Sequence, residues 1–129
     1  MEDCIFCKIV DGKIRSYKIY EDPDYLAILD TFPAVEGQVI ILTKEHKDSN
    51  VFMLEDESLT EMVLVAKKIA KMLKKTLDVD KIQLIFAGTS VNHLHAKLYP
   101  TDQRITIEGK KETEERLTQM RDKIIKLGR

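Results

Sequence analysis

No stretch of this sequence reaches the run of about 18 apolar residues that a membrane-spanning helix needs, and no apolar run follows the acidic start Met1-Glu2-Asp3 as it would in a secretory leader. An excess of charge of one sign is missing too. Lys and Arg number 21 against 22 Asp and Glu, for a formal net charge of −1, so no global field recruits nucleic acid or a membrane surface. Internal repeats, low-complexity tracts and linkers are absent. Cysteine is scarce: the two present are too few for a zinc ribbon or rubredoxin site. Standing three apart near the start, they do not follow a strand as a thioredoxin-type pair does. These absences lead to the expectation of one cytoplasmic domain over residues 1–129, with reduced thiols and no nucleic-acid or membrane partner.

What is present is enough for a core. A 14.9 kDa chain with 43% hydrophobic and 33% charged residues buries a proper interior without staples. Residues 17–21 and 24–30 read as two strands around a turn at Asp22-Pro23-Asp24. Val39-Ile40-Ile41-Leu42, within 37–43, has the short apolar run of a buried central strand. The period then changes: Leu59, Met62, Val63, Ala66, Ile69, Ala70, Leu73 and Leu77 recur at helical spacing, and Ser58 with Glu61 forms a capping-box signature for the start. Residues 81–87 and 94–99 return to strand character, and Arg104-Ile105-Thr106-Ile107-Glu108 alternates like an edge strand. A second helix is expected over about 112–127, with a stripe of Leu117, Met120, Ile124 and Leu127 that packs on its own domain or completes a dimer interface. An antiparallel meander sheet with one main helix and this C-terminal helix is an α+β arrangement. The lysines of the main helix (Lys67, Lys68, Lys71, Lys74, Lys75) read as a solvated face that balances the acidic Glu55-Asp56-Glu57 start.

The three histidines carry the functional signal. In Asn92-His93-Leu94-His95-Ala96-Lys97, strand alternation points His93, His95 and Lys97 to one face, about 6.5–7 Å apart in succession. Polar groups lined up on an otherwise apolar strand are costly to bury without partners. Cys4 and Cys7, with His46 and His93, offer the two thiolates and two imidazoles of a tetrahedral zinc site. The alternative is two inert thiols and two histidines bonded to backbone carbonyls.

The stretch Gly88-Thr89-Ser90-Val91-Asn92-His93-Leu94-His95-Ala96-Lys97-Leu98-Tyr99-Pro100 resembles the motif of the histidine triad (HIT) family, with Lys97 where the third histidine stands. Cys4-Ile5-Phe6-Cys7-Lys8-Ile9, Tyr20-Glu21-Asp22, Leu26-Ala27-Ile28-Leu29-Asp30, Pro33, Gly37 and Lys44-Glu45-His46 follow the family's order, so the resemblance spans about residues 4–100. It implies a HIT-like fold, a homodimer and no organic cofactor. It also implies a structural zinc on Cys4, Cys7, His46 and His93. The activity it implies is that of a nucleotide hydrolase or nucleotidyl transferase. His95 would attack the α-phosphorus of a purine nucleotide derivative, of phosphoramidate or dinucleoside polyphosphate type, and form a covalent nucleotidyl-histidine. Ser90, Lys97 and the amides of Gly88 and Thr89 would contact phosphate, Asp30 the ribose, and Phe6, Ile9 and Ile28 the base. Thr89 replaces the family's glutamine, and no asparagine stands in the shorter loop before Gly88. With Lys97, these departures carry the second reading: a zinc-stabilised nucleotide-binding protein with weak or lost catalysis.

Overall fold

The computed structural model of the protein describes residues 3–128; Met1 and Glu2 of the acidic start, and Arg129, lie outside the described residues. Five strands form one antiparallel sheet in the order β1-β2-β3-β5-β4. The meander runs through β1 (Lys18–Glu21), β2 (Tyr25–Leu29) and β3 (Val39–Thr43). Asp22 builds the first turn, its Oδ1 accepting from the amides of Asp24 and Tyr25 at 2.8 and 2.7 Å, as short acidic side chains do in turns. After β3 the chain leaves the sheet for helix α2 (Asp56–Thr76) and returns at the edge as β4 (Ile82–Ile85). It then doubles back as β5 (His95–Pro100), which lies between β3 and β4. The expected α+β class is observed.

Both faces of the sheet centre are covered, which explains why β2 and β3 are apolar at nearly every position rather than alternating. On one face Tyr25, Ala27, Val39, Ile41, Ala96 and Leu98 pack against Met62, Ala66, Ile69 and Leu73 of α2. Those four helix residues recur at helical spacing and form its buried stripe. The helix starts two residues ahead of Ser58, so the expected capping box is not its cap. Glu55 is the N-cap without a side-chain cap bond, and Asp56 and Glu57 occupy the first turn, where negative charge favours the dipole.

The other face carries Leu26, Ile28, Ile40 and Leu42 beneath Phe6 and Ile9. These last two belong to α1 (Ile5–Val10), a six-residue helix with no counterpart in the sequence expectations. Residues 104–108 are not a strand. Their two apolar side chains, Ile105 and Ile107, are both exposed, so no core contact rewards pairing at that edge. The C-terminal helix α3 (Glu114–Leu127) is capped by Thr113, which accepts from the Arg116 amide at 3.2 Å. None of its residues is buried, so its stripe does not pack on the described residues of its own domain. No helix is long and apolar enough to cross a membrane among the described residues.

Candidate functional site

The chemistry lies on the α1 side of the sheet. Register pairs Leu42 with His95 and Ile40 with Lys97, so both polar residues share the face of the cluster under α1. The expected row of three on one strand is modified: β5 begins at His95, and His93 sits in the preceding loop.

That placement turns His93 towards the N-terminal segment. It is wholly buried, and its Nε2–H donates to the Thr43 carbonyl at 2.7 Å. The bond leaves the Nδ1 lone pair facing the cysteines. Nδ1 of His93 lies 3.3 Å from Cys4 Sγ, 3.5 Å from Cys7 Sγ and 3.2 Å from His46 Nδ1; Cys7 Sγ is 3.2 Å from His46 Nδ1. Metal–sulfur bonds near 2.3 Å and metal–nitrogen bonds near 2.05 Å in a tetrahedron separate S from N by about 3.5 Å and N from N by about 3.3 Å. The four side chains expected from the sequence are therefore close enough to hold a metal ion, with all four donor atoms within 4.8 Å of one another. Burial pushes the His93 imidazole below its ordinary value despite the opposing carbonyl bond, favouring the neutral form that ligates. Burial and the neighbouring Cys4 push the Cys7 thiol up.

Cys4 and Cys7 bracket Phe6, and this joins the candidate metal-binding group to the next histidine. The Phe6 ring stands edge-on to His95 at 4.9 Å and to His93 at 5.8 Å between centroids. His95 is 3% exposed, and its Nδ1–H donates to the His93 carbonyl at 2.7 Å. One residue thus faces a metal-ligand set with its ring and orients the second histidine with its backbone. Nε2 of His95 has no hydrogen bond among the described residues. Every buried side-chain nitrogen and oxygen there is partnered, so Nε2 reaches the surface with its lone pair. Burial lowers the His95 pKa, the carbonyl bond opposes this, and the Lys97 charge lowers it further. The imidazole is held neutral, in one tautomer, with the Nε2 lone pair outward.

Lys97 does not stand alone. Its Nζ is 3.2 Å from Asp30 Oδ2, with the ammonium side chain 31% exposed and the carboxylate 7%. Asp30 also accepts from Gln38 Nε2 at 2.7 Å and from the Phe32 amide at 2.9 Å. Burial works to raise its pKa, but the Phe32 amide and Lys97 outweigh it and the carboxyl ends below its ordinary value. Gln38 was missed in the sequence, although it continues the two-residue alternation of Ile40 and Leu42 that marks this face. Thr43 was missed too; its role runs through a main-chain carbonyl, for which side-chain patterns carry no signal.

Phe6, Ile9 and Ile28 belong to one apolar cluster at 7%, 8% and 4% exposure, with Asp30 just beyond the end of β2. Gly88, Thr89 and Ser90 lie in the loop between β4 and β5. Gly88 has φ +69° and packs so closely that an added Cβ would meet the Ser49 carbonyl oxygen at 2.7 Å; Ser49 Oγ donates to the Gly88 carbonyl at 2.7 Å. Ser90 lines a hollow shared with Cys4, His46 and Asn92. No hydrogen bond links it to His95 or Lys97 among the described residues.

A model of the HIT domain matches residues 11–104. An uncharacterized HIT-like protein of Borreliella burgdorferi is 38% identical over 108 residues, covering 78% of this chain and 76% of its own length. An adenosine 5'-monophosphoramidase of Saccharomyces cerevisiae is 37% identical over 98 residues, covering 75% and 61%. A crystal structure of a Streptococcus mutans protein superposes with a TM-score of 0.79 at 34% identity, covering 98% of this chain and 85% of that one. With most of its length inside the family model and its sheet shared with solved relatives, the chain belongs to the HIT domain family.

Proposed function

We propose that this protein is a nucleotide hydrolase or nucleotidyl transferase that acts at the α-phosphate of a purine nucleotide derivative, of phosphoramidate or dinucleoside polyphosphate type. The observation that carries the reading is His95, fixed by the His93 carbonyl so that Nε2 turns its lone pair to the surface. In the first step Nε2 forms a bond to the α-phosphorus and the bond to the leaving group breaks, its electron pair departing with that group, which takes up a proton from solvent. In the second, water or another acceptor attacks the same phosphorus and gives up a proton to solvent, and the P–N bond breaks with its electron pair returning to Nε2, restoring the imidazole. Two displacements replace one difficult one. The nucleotide lies against the edge of the Phe6, Ile9 and Ile28 cluster, with Asp30 at its border. Lys97, Ser90 and the backbone of Gly88 and Thr89 serve the phosphates.

Zinc is the ion that two thiolates and two imidazoles at this spacing favour. Held by Cys4, Cys7, His46 and His93, it would pin α1 to the sheet and fix the His93 ring; four protein ligands leave no open position for substrate. A homodimer in which the α3 stripe is covered completes the reading. The resemblance to the yeast monophosphoramidase supports the reaction class.

The test is release of AMP from adenosine 5'-phosphoramidate and from diadenosine polyphosphates. Wild type is expected to turn over at least one of them, and His95→Ala to lose roughly a thousandfold or more. A transient adenylyl adduct on His95, seen by mass spectrometry, would mark the covalent step. The binding-protein reading, with weak or lost catalysis, is favoured by one observation: Lys97 is tied to a carboxylate and lacks the proton exchange of histidine near neutral pH. AMP binding without turnover or adduct on any of these substrates would select it.

A further inference from the structure

Ser49 stands where two distant segments of the site meet, and local structure holds it in place. Asp48 Oδ1 accepts from the Asn50 amide at 2.7 Å and Asn50 Oδ1 from the Phe52 amide at 3.1 Å. These two side-chain turns bend the chain after His46. The second caps a short 3-10 helix, Val51–Met53, whose Val51 is buried in the cluster shared with α2. On the other side of Ser49, the Lys47 carbonyl accepts from the Leu94 amide at 2.9 Å. Ser49 is thus anchored before and after, and is itself 9% exposed.

From this position Ser49 reaches the loop between β4 and β5 at two points. Its Oγ–H donates to the Gly88 carbonyl at 2.7 Å, and its backbone N–H donates to Asn92 Oδ1 at 3.0 Å. Gly88 allows so close an approach because it has no side chain to meet the Ser49 carbonyl oxygen, and its φ of +69° suits no other residue as well. Between the two ties lie Thr89, Ser90 and Val91. Their amides donate to no other described residue, and Thr89 and Ser90 are exposed. A stretch with both ends fixed and its donors unengaged suits an anion. Ordering the loop, which opposes binding when it happens on contact, is already done. Ser49 is buried with both donors engaged, so it acts through the loop and does not touch the substrate.

Resting on the nucleotide reading above, we infer that Ser49 is a positioning residue: it holds Gly88 and Asn92 so that the amides and the Ser90 hydroxyl between them stand ready for a substrate phosphate. Loss of this clamp acts on the phosphate end of the ligand and leaves the nucleoside end alone.

Calorimetric titration of the full chain, purified without chelator, with AMP and with adenosine reads the two ends separately. Ser49→Ala is expected to weaken AMP binding about fivefold, the scale of one neutral hydrogen bond, and to leave adenosine unchanged. Asn92→Ala removes the other tie at an exposed position, so it tests the clamp even where Ser49→Ala does not fold. The same selective loss is expected of it, and the double variant should lose less than the product of the two factors, because both ties act on one loop. Equal weakening of AMP and adenosine, or no change in either, overturns the inference. The holding itself is read from nitrogen-15 relaxation of the ligand-free protein. Order parameters of the Thr89, Ser90 and Val91 amides should fall from about 0.85 to below about 0.6 in both variants. Unchanged order parameters in variants that bind AMP more weakly overturn the clamp and leave the nucleotide reading standing. Wild type that binds neither compound sinks the nucleotide reading, and the phosphate role of the loop with it.

Discussion

A single residue, His93, couples two parts of the site that sequence spacing separates by nearly ninety positions. Its ring belongs to the set that includes Cys4 and Cys7, while its carbonyl fixes the tautomer of His95. Asp30 is the other residue with consequences beyond its own contacts. Its folded-state pKa lies below the ordinary value of 3.8: burial alone would raise it, but the Phe32 amide bond and the Lys97 charge prevail. A carboxyl with a depressed folded pKa contributes stability above its unfolded value, and that stability is lost as pH falls through the folded one. At pH 7, Asp30→Asn is therefore expected to cost about 1 kcal/mol, the scale of one partly buried ion pair with a partner hydrogen bond. Once pH falls below the folded-state pKa, itself under 3.8, Asp30 is neutral in both states and close to isosteric with Asn, and the gap in melting temperature between variant and wild type should close. Thermal melts from pH 7 down to acid test this; a gap that stays constant or widens on acidification contradicts the assignment.

At the scale of elements, the sequence was most legible where a period had room to repeat. The stripe of α2 and the apolar runs of β2 and β3 are patterns that burial on one or two faces imposes. Strand pairing left no such mark, because the position of β5 between β3 and β4 depends on partners far away in the chain. Residues 104–108 show the converse: Ile105 and Ile107 alternate correctly but find no core, so the period alone misled. Helix α1 was invisible because six residues do not display a period, and helices this short are marginal in water without tertiary support. Its supports are visible in the fold: Phe6 and Ile9 inserted into the sheet face, and Cys4 accepting from the Cys7 amide at 3.4 Å while both thiols face His46 and His93. Metal binding to such a set is coupled to local folding. Protein purified without chelator is expected to carry about one zinc per chain. Stripping it, or replacing both thiols in Cys4→Ser/Cys7→Ser, should speed amide exchange in α1 by about tenfold or more while the α2 amides keep their protection. A metal-free wild type with equally protected α1 would falsify the metal assignment.

For the whole molecule, the unresolved balance is between α3 and everything else. Fourteen residues form a helix whose stripe of Leu117, Met120, Ile124 and Leu127 stays 53–69% exposed, with Ile125 beside it at 48%. An isolated helix of that length is marginal in water, so the stripe needs cover for α3 to persist. In a twofold homodimer every contact occurs twice, and eight such side chains at roughly 1 kcal/mol each for their remaining apolar surface reach the range of about 4–15 kcal/mol that association costs. The stripe then offsets much of that cost without a clear surplus, and contacts from α2 or a sheet edge would supply the net stability of a dimer. Light scattering after size exclusion should give twice the chain mass for the full protein at micromolar concentration, and a chain ending at Gly109 should shift towards monomer. Helical content measured by circular dichroism should fall on dilution of the full chain, in step with dissociation. A full-length monomer whose helicity does not change with concentration would show that α3 stands uncovered. A truncated chain that remains fully dimeric would move the interface to the main helix and the sheet edge, leaving the stripe free.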